Sequence, residues 1–450
     1  MLVDLQLNDQ LRLRKPHPCG SYEWTVVRLG ADIGLECKGC GRRVLLTRRE
    51  LHKRLKRNLT RRMHSEFPRK PHIVFLFSDT GGGHRSAAEA IIEAMELDYG
   101  DAFSSEMVDF YRGFGPGPMR SMPEIYPEMV KAKRLWQASF YATNGRPQAR
   151  LMTASLWPLM RAAMKKLVRS HPADLIVTVH PLANTFALMA LGAQRPPFYT
   201  VVTDLVTTHA LWFDTRADRI LVPTELARQK AVAYHMPPEK IEVVGLPVAE
   251  RYCAPVGDKQ ELRGRLGWPQ DKPIALLVGG GEGMGPLAKT ARAIDESGLD
   301  LGLVIVCGRN GKLQSKLEAF AWENPTYIHG FVRDLPDFMR AADVIITKAG
   351  PGTIAEALNA NLPIILYSKI PGQEDGNVTF VVSEGAGVWA PKPQLVVRAL
   401  TRWISRPAER SRVIEKTRRA ARPDSAHLIA HMLGQRLRLQ SRVAIAAPVA

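Results

Sequence analysis

Five short runs carry most of the residues whose types and spacing could do chemistry. SDTGGGHRSAAEAI (78–91) lies between the apolar run IVFLF and an alanine-rich stretch of helical spacing. Gly81, Gly82 and Gly83 let the backbone approach a ligand closely and take positive φ, and the following helix offers unpaired N–H groups. His84 stands at the helix entrance, where an imidazole can take a proton from an attacking hydroxyl near neutral pH. The plainer alternative is a tight turn that His84 merely caps. In GGGEGMGP (279–286) the amides of Gly280, Gly281, Glu282, Gly283 and Met284 are spaced to meet a diphosphate. KAGPGTIAEAL (348–358) repeats the geometry. Gly350, Pro351 and Gly352 make a turn, Thr353 starts a helix, and Glu356 lies one turn inside, where a carboxylate can bind ribose hydroxyls. The backbone at Gly330, Phe331 and Val332 can read the edge of cytosine or uracil. In PGQEDGN (371–377), Gln373, Glu374 and Asn377 are amide and carboxylate groups that suit sugar hydroxyls.

The elements that must hold these runs form two sets. IVFLF, DLIVTV, FYTVVTDL and RILVPT make one, and IALLVGGG, LGLVIVCG, DVIITKAG and LPIILY the other. Continuous rather than alternating apolarity predicts strands buried on both faces, as in a parallel α/β sheet. The fold class is therefore α/β, with two Rossmann-like lobes and a cleft at the carboxyl ends of their strands. Residues 1–58 read as a small β-rich module. Residues 70–245 form the first lobe, 246–400 the second, and 401–450 are basic helices that pack back across the lobes, with VAIAAPVA as a loose tail. GLPVAERYCAPVGDKQE (245–261) reads as the hinge and RRELHKRLKRNLTRR as a helix or linker.

Taken together, SDTGGGHRSAAEAI, VTDLVTTHALWF, GGGEGMGP, KAGPGTIAEAL and PGQEDGN resemble the monogalactosyldiacylglycerol synthases and diacylglycerol glucosyltransferases of glycosyltransferase family 28, from about His72 to about Pro391. The resemblance implies a GT-B fold, an inverting mechanism, a UDP-sugar donor in the second lobe and diacylglycerol in the first. It makes His84 the base, Glu356 the ribose reader, and Gln373 and Glu374 the sugar readers. Gly279–Gly285 and Gly350–Thr353 become the phosphate contacts, and His180, Pro181, Asp204 and His209 cleft positions on the acceptor side. Galactose is the favoured sugar, with UDP-glucose the alternative donor. No DxD metal site is evident, so helix termini and amides are expected to take the leaving diphosphate's charge without a catalytic cofactor.

HPCG (17–20) and CKGC (37–40) place His17, Cys19, Cys37 and Cys40 like a structural zinc site, with three thiolates and His17 either as fourth ligand or shaping the turn. This segment resembles a small uncharacterised bacterial domain family and departs from the galactolipid synthase pattern.

Charge narrows the partners. Of the net +18, residues 42–70 carry +10 and residues 398–442 carry +9, leaving the remainder near neutral. Two basic regions suggest anionic lipid of the cytoplasmic leaflet or nucleic acid. A nucleic-acid-binding protein with a degenerate transferase body ranks lower, since aromatic interleaving is thin. Residues 101–145, rich in aromatics and methionine with Lys131, Lys133 and Arg134, read as a segment entering the bilayer interface or as a mobile lid. No apolar run approaches a spanning length, and MLVDLQLNDQ has neither a basic start nor an apolar centre, which predicts a cytoplasmic, peripheral protein on the inner face of the cell membrane. Five cysteines in 450 residues argue against a disulfide framework.

Overall fold

The computed structural model describes residues 5–30, 32–59, 69–80, 83–193, 195–255 and 257–442. Gly81, Gly82, the end of the basic linker and the VAIAAPVA tail lie outside the described residues. Two compact units divide the chain, residues 1–70 and 71–450.

In the first unit, strands β1 (Gln10–Leu13), β2 (Glu23–Arg28), β3 (Asp32–Cys37), β4 (Arg43–Thr47) and β5 (Leu55–Asn58) form an antiparallel sheet ordered β4-β3-β2-β1-β5. Alternate residues Leu11, Leu13, Trp24, Val26, Ile33 and Leu35 close one core. The stretch read as a helix or linker splits. Thr47 and Glu50 form a reciprocal capping box that starts the helix Arg48–Arg54, and the chain then turns extended at Leu55 to pair with β1.

The second unit holds two six-stranded sheets, every pairing parallel. The first has β6 (His72–Phe77), β7 (Ser104–Asp109), β8 (Leu175–Thr178), β9 (Phe198–Val201), β10 (Arg219–Val222) and β11 (Ile241–Val243), ordered β11-β10-β9-β8-β6-β7. In the second, β12 (Ile274–Val278), β13 (Gly302–Val306), β14 (Thr326–His329), β15 (Val344–Lys348), β16 (Ile364–Ser368) and β17 (Gly387–Trp389) run β14-β13-β12-β15-β16-β17. The central strands are buried along their whole length, IALLV and GLVIV without exception. Each buried Val, Leu or Ile among them contributes about 1.5–3 kcal/mol by leaving water. Sequence reasoning missed β7, whose mixed SSEMVD is an edge strand with only one buried residue.

Strand order reverses beside β6 in the first sheet and beside β12 in the second, which opens a crevice at the carboxyl ends of β6 and β8 and of β12 and β15. The chain then returns to its starting lobe. Ile429, Ala430 and Leu433 of the helix Ser425–Leu437 join the core containing Ile91, Ala94 and Met95 of the helix Gly83–Tyr99.

Candidate active site between the two lobes

At the end of β6 the chain leaves the sheet through Ser78 and Asp79. The Asp79 carboxylate takes Nε and one terminal nitrogen of Arg85 at 2.6 and 2.8 Å, and this guanidinium holds its carboxyl below the usual carboxylate range. That pair pins the loop to the first helical turn, which carries exposed Gly83 and, next to it, His84. His84 Nδ1 lies 2.9 Å from Thr203 Oγ1, its ring 4.7 Å edge-on to His180 and 6.2 Å from Trp212. A hydroxyl can donate or accept, so Thr203 orients the ring in either tautomer. Burial pulls the His84 pKa down to about 4, against the opposing pull of the Val179 carbonyl, and pulls His180 well below its ordinary value. Both rings are neutral at pH 7, the state a proton acceptor must have.

His180 Nε2 lies 3.2 Å from Thr80 Oγ1, while its buried Nδ1 has no partner among the described residues. Asp204 accepts from Trp212 Nε1 at 2.7 Å, and burial pushes its carboxyl up to about 6 despite that bond and the Lys230 ammonium, with Glu374 adding to the rise. His209 is committed elsewhere. Its Nδ1 accepts from the Leu211 amide at 3.2 Å and closes its own turn, and its Nε2 faces Thr143 Oγ1 at 3.1 Å and ties that loop to the helix Lys133–Thr143.

Across the cleft, the loop after β12 is shaped by its glycines. Gly280, Gly283 and Gly285 have φ of +70°, +60° and +93°, and a Cβ on Gly283 would meet the Cys307 carbonyl at 2.4 Å. The Tyr367 hydroxyl donates to the Met284 carbonyl at 2.9 Å and fixes the loop's far end. Glu282 pairs with Arg309 at 2.8 Å, and Arg309 also covers the exposed Phe331 ring at 4.9 Å, beside half-buried Val332.

The loop after β15 leads through Gly350 and Pro351 to the helix Pro351–Asn359. Two other helices of this lobe are capped by side chains, Asp258 accepting from Gln260 at 2.8 Å and Asn310 from Leu313 at 3.0 Å. Gly350 offers none, so the first amides of this helix, those of Gly352 and Thr353 among them, have no side-chain cap. Lys348 stands between the two glycine loops, its Nζ 2.6 Å from Glu374 Oε1, where the pairing of β15 with β16 shifts register. The Glu356 carboxylate makes no hydrogen bond or ion pair with the described residues, and burial raises its carboxyl to about 7 against the pull of Arg251. Glu374 is buried and also accepts from the Ile370 amide at 2.7 Å, while Asn377 Nδ2 donates to the Ala349 carbonyl at 2.9 Å and leaves its own oxygen unpartnered among the described residues.

The lobes touch across the 370–377 loop. Tyr126 donates to Gln373 Oε1 at 3.1 Å, Tyr141 to Asp375 Oδ2 at 3.0 Å, and the Gly376 amide to Thr207 Oγ1 at 2.7 Å. The aromatics of residues 122–143 therefore turn largely inward: Phe140 is buried against Gly372 and Trp136 packs edge-on to Tyr126 at 5.4 Å. Ile125, Met129, Leu135 and Tyr141 remain exposed, among charged Glu124, Glu128, Lys131, Lys133 and Arg134. Sequence reasoning missed Thr203, Lys348, Arg309 and Tyr126. Lys348 directly precedes AGPG and Thr203 directly precedes Asp204, so adjacency to recognised motifs could have found those two.

Comparison with known proteins fits this geometry. Residues 84–248 match the profile of monogalactosyldiacylglycerol (MGDG) synthase, and residues 275–429 that of the glycosyltransferase family 28 C-terminal domain. The rice (Oryza sativa subsp. japonica) protein described as a probable monogalactosyldiacylglycerol synthase 2, chloroplastic, is 41% identical over 345 residues, covering 74% of this chain and 73% of its own. Monogalactosyldiacylglycerol synthase 1, chloroplastic, of Arabidopsis thaliana is 37% identical over 387 residues, covering 83% and 72%. The chain belongs to the monogalactosyldiacylglycerol synthase family. Acinetobacter baumannii MurG, 15% identical with a TM-score of 0.53 over 82% of this chain and 100% of its own, shares the GT-B fold. As a member of the synthase family the chain is a glycosyltransferase, and the site residues above fall at the mouths of both lobes.

The first unit holds a separate cluster. Residues 5–59 match a bacterial protein of unknown function (DUF951). His17 Nδ1 lies 3.2 Å from Cys19 Sγ and 3.4 Å from Cys40 Sγ, and the Cys19 and Cys37 sulfurs are 3.5 Å apart. All four ligand atoms lie within 4.8 Å of one another and could hold a metal ion. Gly39 permits the knuckle, since a Cβ there would sit 2.8 Å from Ser21 Cβ and 3.1 Å from Cys19 Sγ.

Proposed function

We propose that this protein transfers a hexose, galactose by preference, from a UDP-sugar to the free hydroxyl of 1,2-diacylglycerol with inversion at the anomeric carbon. The observation that carries the reading is the neutral His84 held at the acceptor lobe's mouth, facing a donor lobe of open amides, in a chain of this family. The acceptor oxygen attacks the anomeric carbon as His84 takes its proton, a carbon–oxygen bond forms, and the bond to UDP breaks with its electron pair leaving on the diphosphate. Gly280–Gly285, Gly352, Thr353 and the Lys348 ammonium meet that charge. Glu356 accepts from the ribose, the backbone at Phe331 and Val332 reads uracil, and Gln373, Glu374 and Asn377 hold the sugar. His180 and Asp204 line the acceptor side with Gly83, while His209 acts by positioning.

Diacylglycerol requires a membrane surface, and the first lobe offers one. The helix Arg146–Ser170 contains no acid, and exposed Leu151 and Leu159 lie among Arg150, Arg161 and Lys166. On the helix Lys133–Thr143, Leu135 is also exposed, beside Lys131, Lys133 and Arg134 in sequence. Apolar side chains ringed by cations suit peripheral docking on anionic lipid, on the inner face of the cell membrane. No helix among the described residues is long and apolar enough to span it.

The test is a mixed-micelle assay of diacylglycerol with UDP-galactose and UDP-glucose in parallel, with and without anionic lipid. Galactolipid formed faster than glucolipid, and faster with anionic lipid, is expected. Absence of both glycolipids would refute the reading.

The metal of the first unit is zinc on this reading. Tetrahedral Zn–S bonds of about 2.3 Å place sulfurs about 3.8 Å apart, near the observed spacing, and three thiolates with one imidazole are a structural donor set. Purified protein is expected to carry one zinc per chain and to lose it on Cys37→Ser, whereas metal analysis finding none would remove the assignment.

A further inference from the structure

The sugar-reading loop belongs to the donor lobe but takes much of its bracing from the acceptor lobe. Glycines give it little stiffness of its own, Gly372 having φ of +85° and Gly376 packing directly on Val206 and Thr207. The bond from Tyr126 is the one aimed at a side chain proposed to touch the sugar. Tyr126 sits on the helix Met122–Lys131, its hydroxyl desolvated and within the field of the Asp204 and Glu374 carboxylates, which with burial hold it protonated. A protonated phenol among carboxylates donates to the carbonyl oxygen of Gln373. Once that oxygen is occupied, the amide nitrogen of Gln373 is left to donate to a hydroxyl of the hexose.

We propose that Tyr126, from the acceptor lobe, is a specificity-determining positioning residue for the donor sugar, acting by fixing which end of the Gln373 carboxamide faces the hexose. Galactose and glucose differ in the orientation of one hydroxyl, and a site that presents a fixed donor distinguishes them better than one whose amide can rotate. Trp136 stacks edge-on behind the Tyr126 ring and keeps it from swinging away. The acceptor lobe thereby helps choose the sugar that its own substrate receives.

This inference rests on Gln373 reading the sugar, and the experiment separates the two. Tyr126→Phe keeps the ring and its packing and removes only the hydroxyl. The ratio of kcat/KM for UDP-galactose over UDP-glucose is expected to fall about tenfold, the scale of one lost oriented hydrogen bond, with the Kd of UDP itself unchanged. In a Gln373→Ala background the same substitution should leave the ratio unmoved. An unchanged ratio in Tyr126→Phe, or an equal fall in both backgrounds, would overturn the role of Tyr126. If Gln373→Ala alone leaves the ratio as in wild type, the sugar-reader assignment fails instead. Activity with neither donor in wild type would defeat the transferase reading and not this inference in particular.

Discussion

The loop after the first strand of each lobe occupies the same place, the carboxyl end of β6 in one and of β12 in the other, each beside the reversal of strand order. What the loops present differs. The first delivers a side chain, His84, into a pocket of Thr203, His180 and Trp212 that shields the half-buried ring and keeps it neutral. The second delivers backbone, with three glycines at positive φ and no ionisable group apart from Glu282, which is spent on Arg309. Proton transfer needs one atom with a tuned affinity, and binding a diphosphate needs many weak donors spread over several ångströms. The same architecture supplies either, according to whether the chain spends its turn on a packed side chain or on free amides.

Breaking the side-chain half should cost most. His84→Ala is expected to lower kcat on the order of a thousandfold with the Kd of UDP unchanged, because on the proposed mechanism the ring acts only on the acceptor. An equal loss of UDP affinity would show that the lobes do not divide the work in this way. Breaking the backbone half should look different. Gly283→Ala forces a Cβ to 2.4 Å from the Cys307 carbonyl at φ +60°, and the resulting distortion, worth about 2 kcal/mol, should raise the KM for UDP-sugar about thirtyfold. A loss confined to kcat would count against the phosphate role.

Glu356 is the exception that sharpens the comparison, an ionisable side chain in the backbone-reading lobe. Its carboxyl, raised from an ordinary 4.5 to about 7, is largely protonated at pH 6 and ionised at pH 8. UDP affinity measured by calorimetry should therefore rise with pH through about 7, and Glu356→Gln should weaken binding about tenfold at pH 8 and far less at pH 6. The same shift has a cost in stability. The folded protein holds this proton to higher pH than the unfolded chain, so stability falls as pH rises from 4.5 to 7 and stays lower above it. Unliganded Glu356→Gln should melt above wild type at pH 8. A pH-independent UDP affinity in wild type would remove Glu356 from the ribose.

Most of the architecture was legible before any coordinates, because strands buried on both faces must be written as unbroken apolar runs and their glycine-rich exits must be local in sequence. IVFLF, IALLV and VIITK announce β6, β12 and β15, and the motifs that follow them hold both halves of the candidate site. A dry parallel strand has no other way to be spelled. The cluster of His17, Cys19, Cys37 and Cys40 was legible for a related reason, since the spacing of such residues is a property of short turns. Edge strand β7 was not, since a strand with one buried residue leaves no periodic signal. Nor was the inward turn of the aromatics at 122–143: Tyr126 meets Gln373 across 247 positions, and nothing local to either residue records that contact. The charge states at the site depend on tertiary structure as well. His84 and Glu356 carry ordinary side chains, and only the surrounding burial drives one pKa down and the other up. Local periodicity and turn chemistry are enough to specify the lobes, the loops and the groups they carry. Which groups face one another, and which are charged, was decided only when distant segments excluded water together.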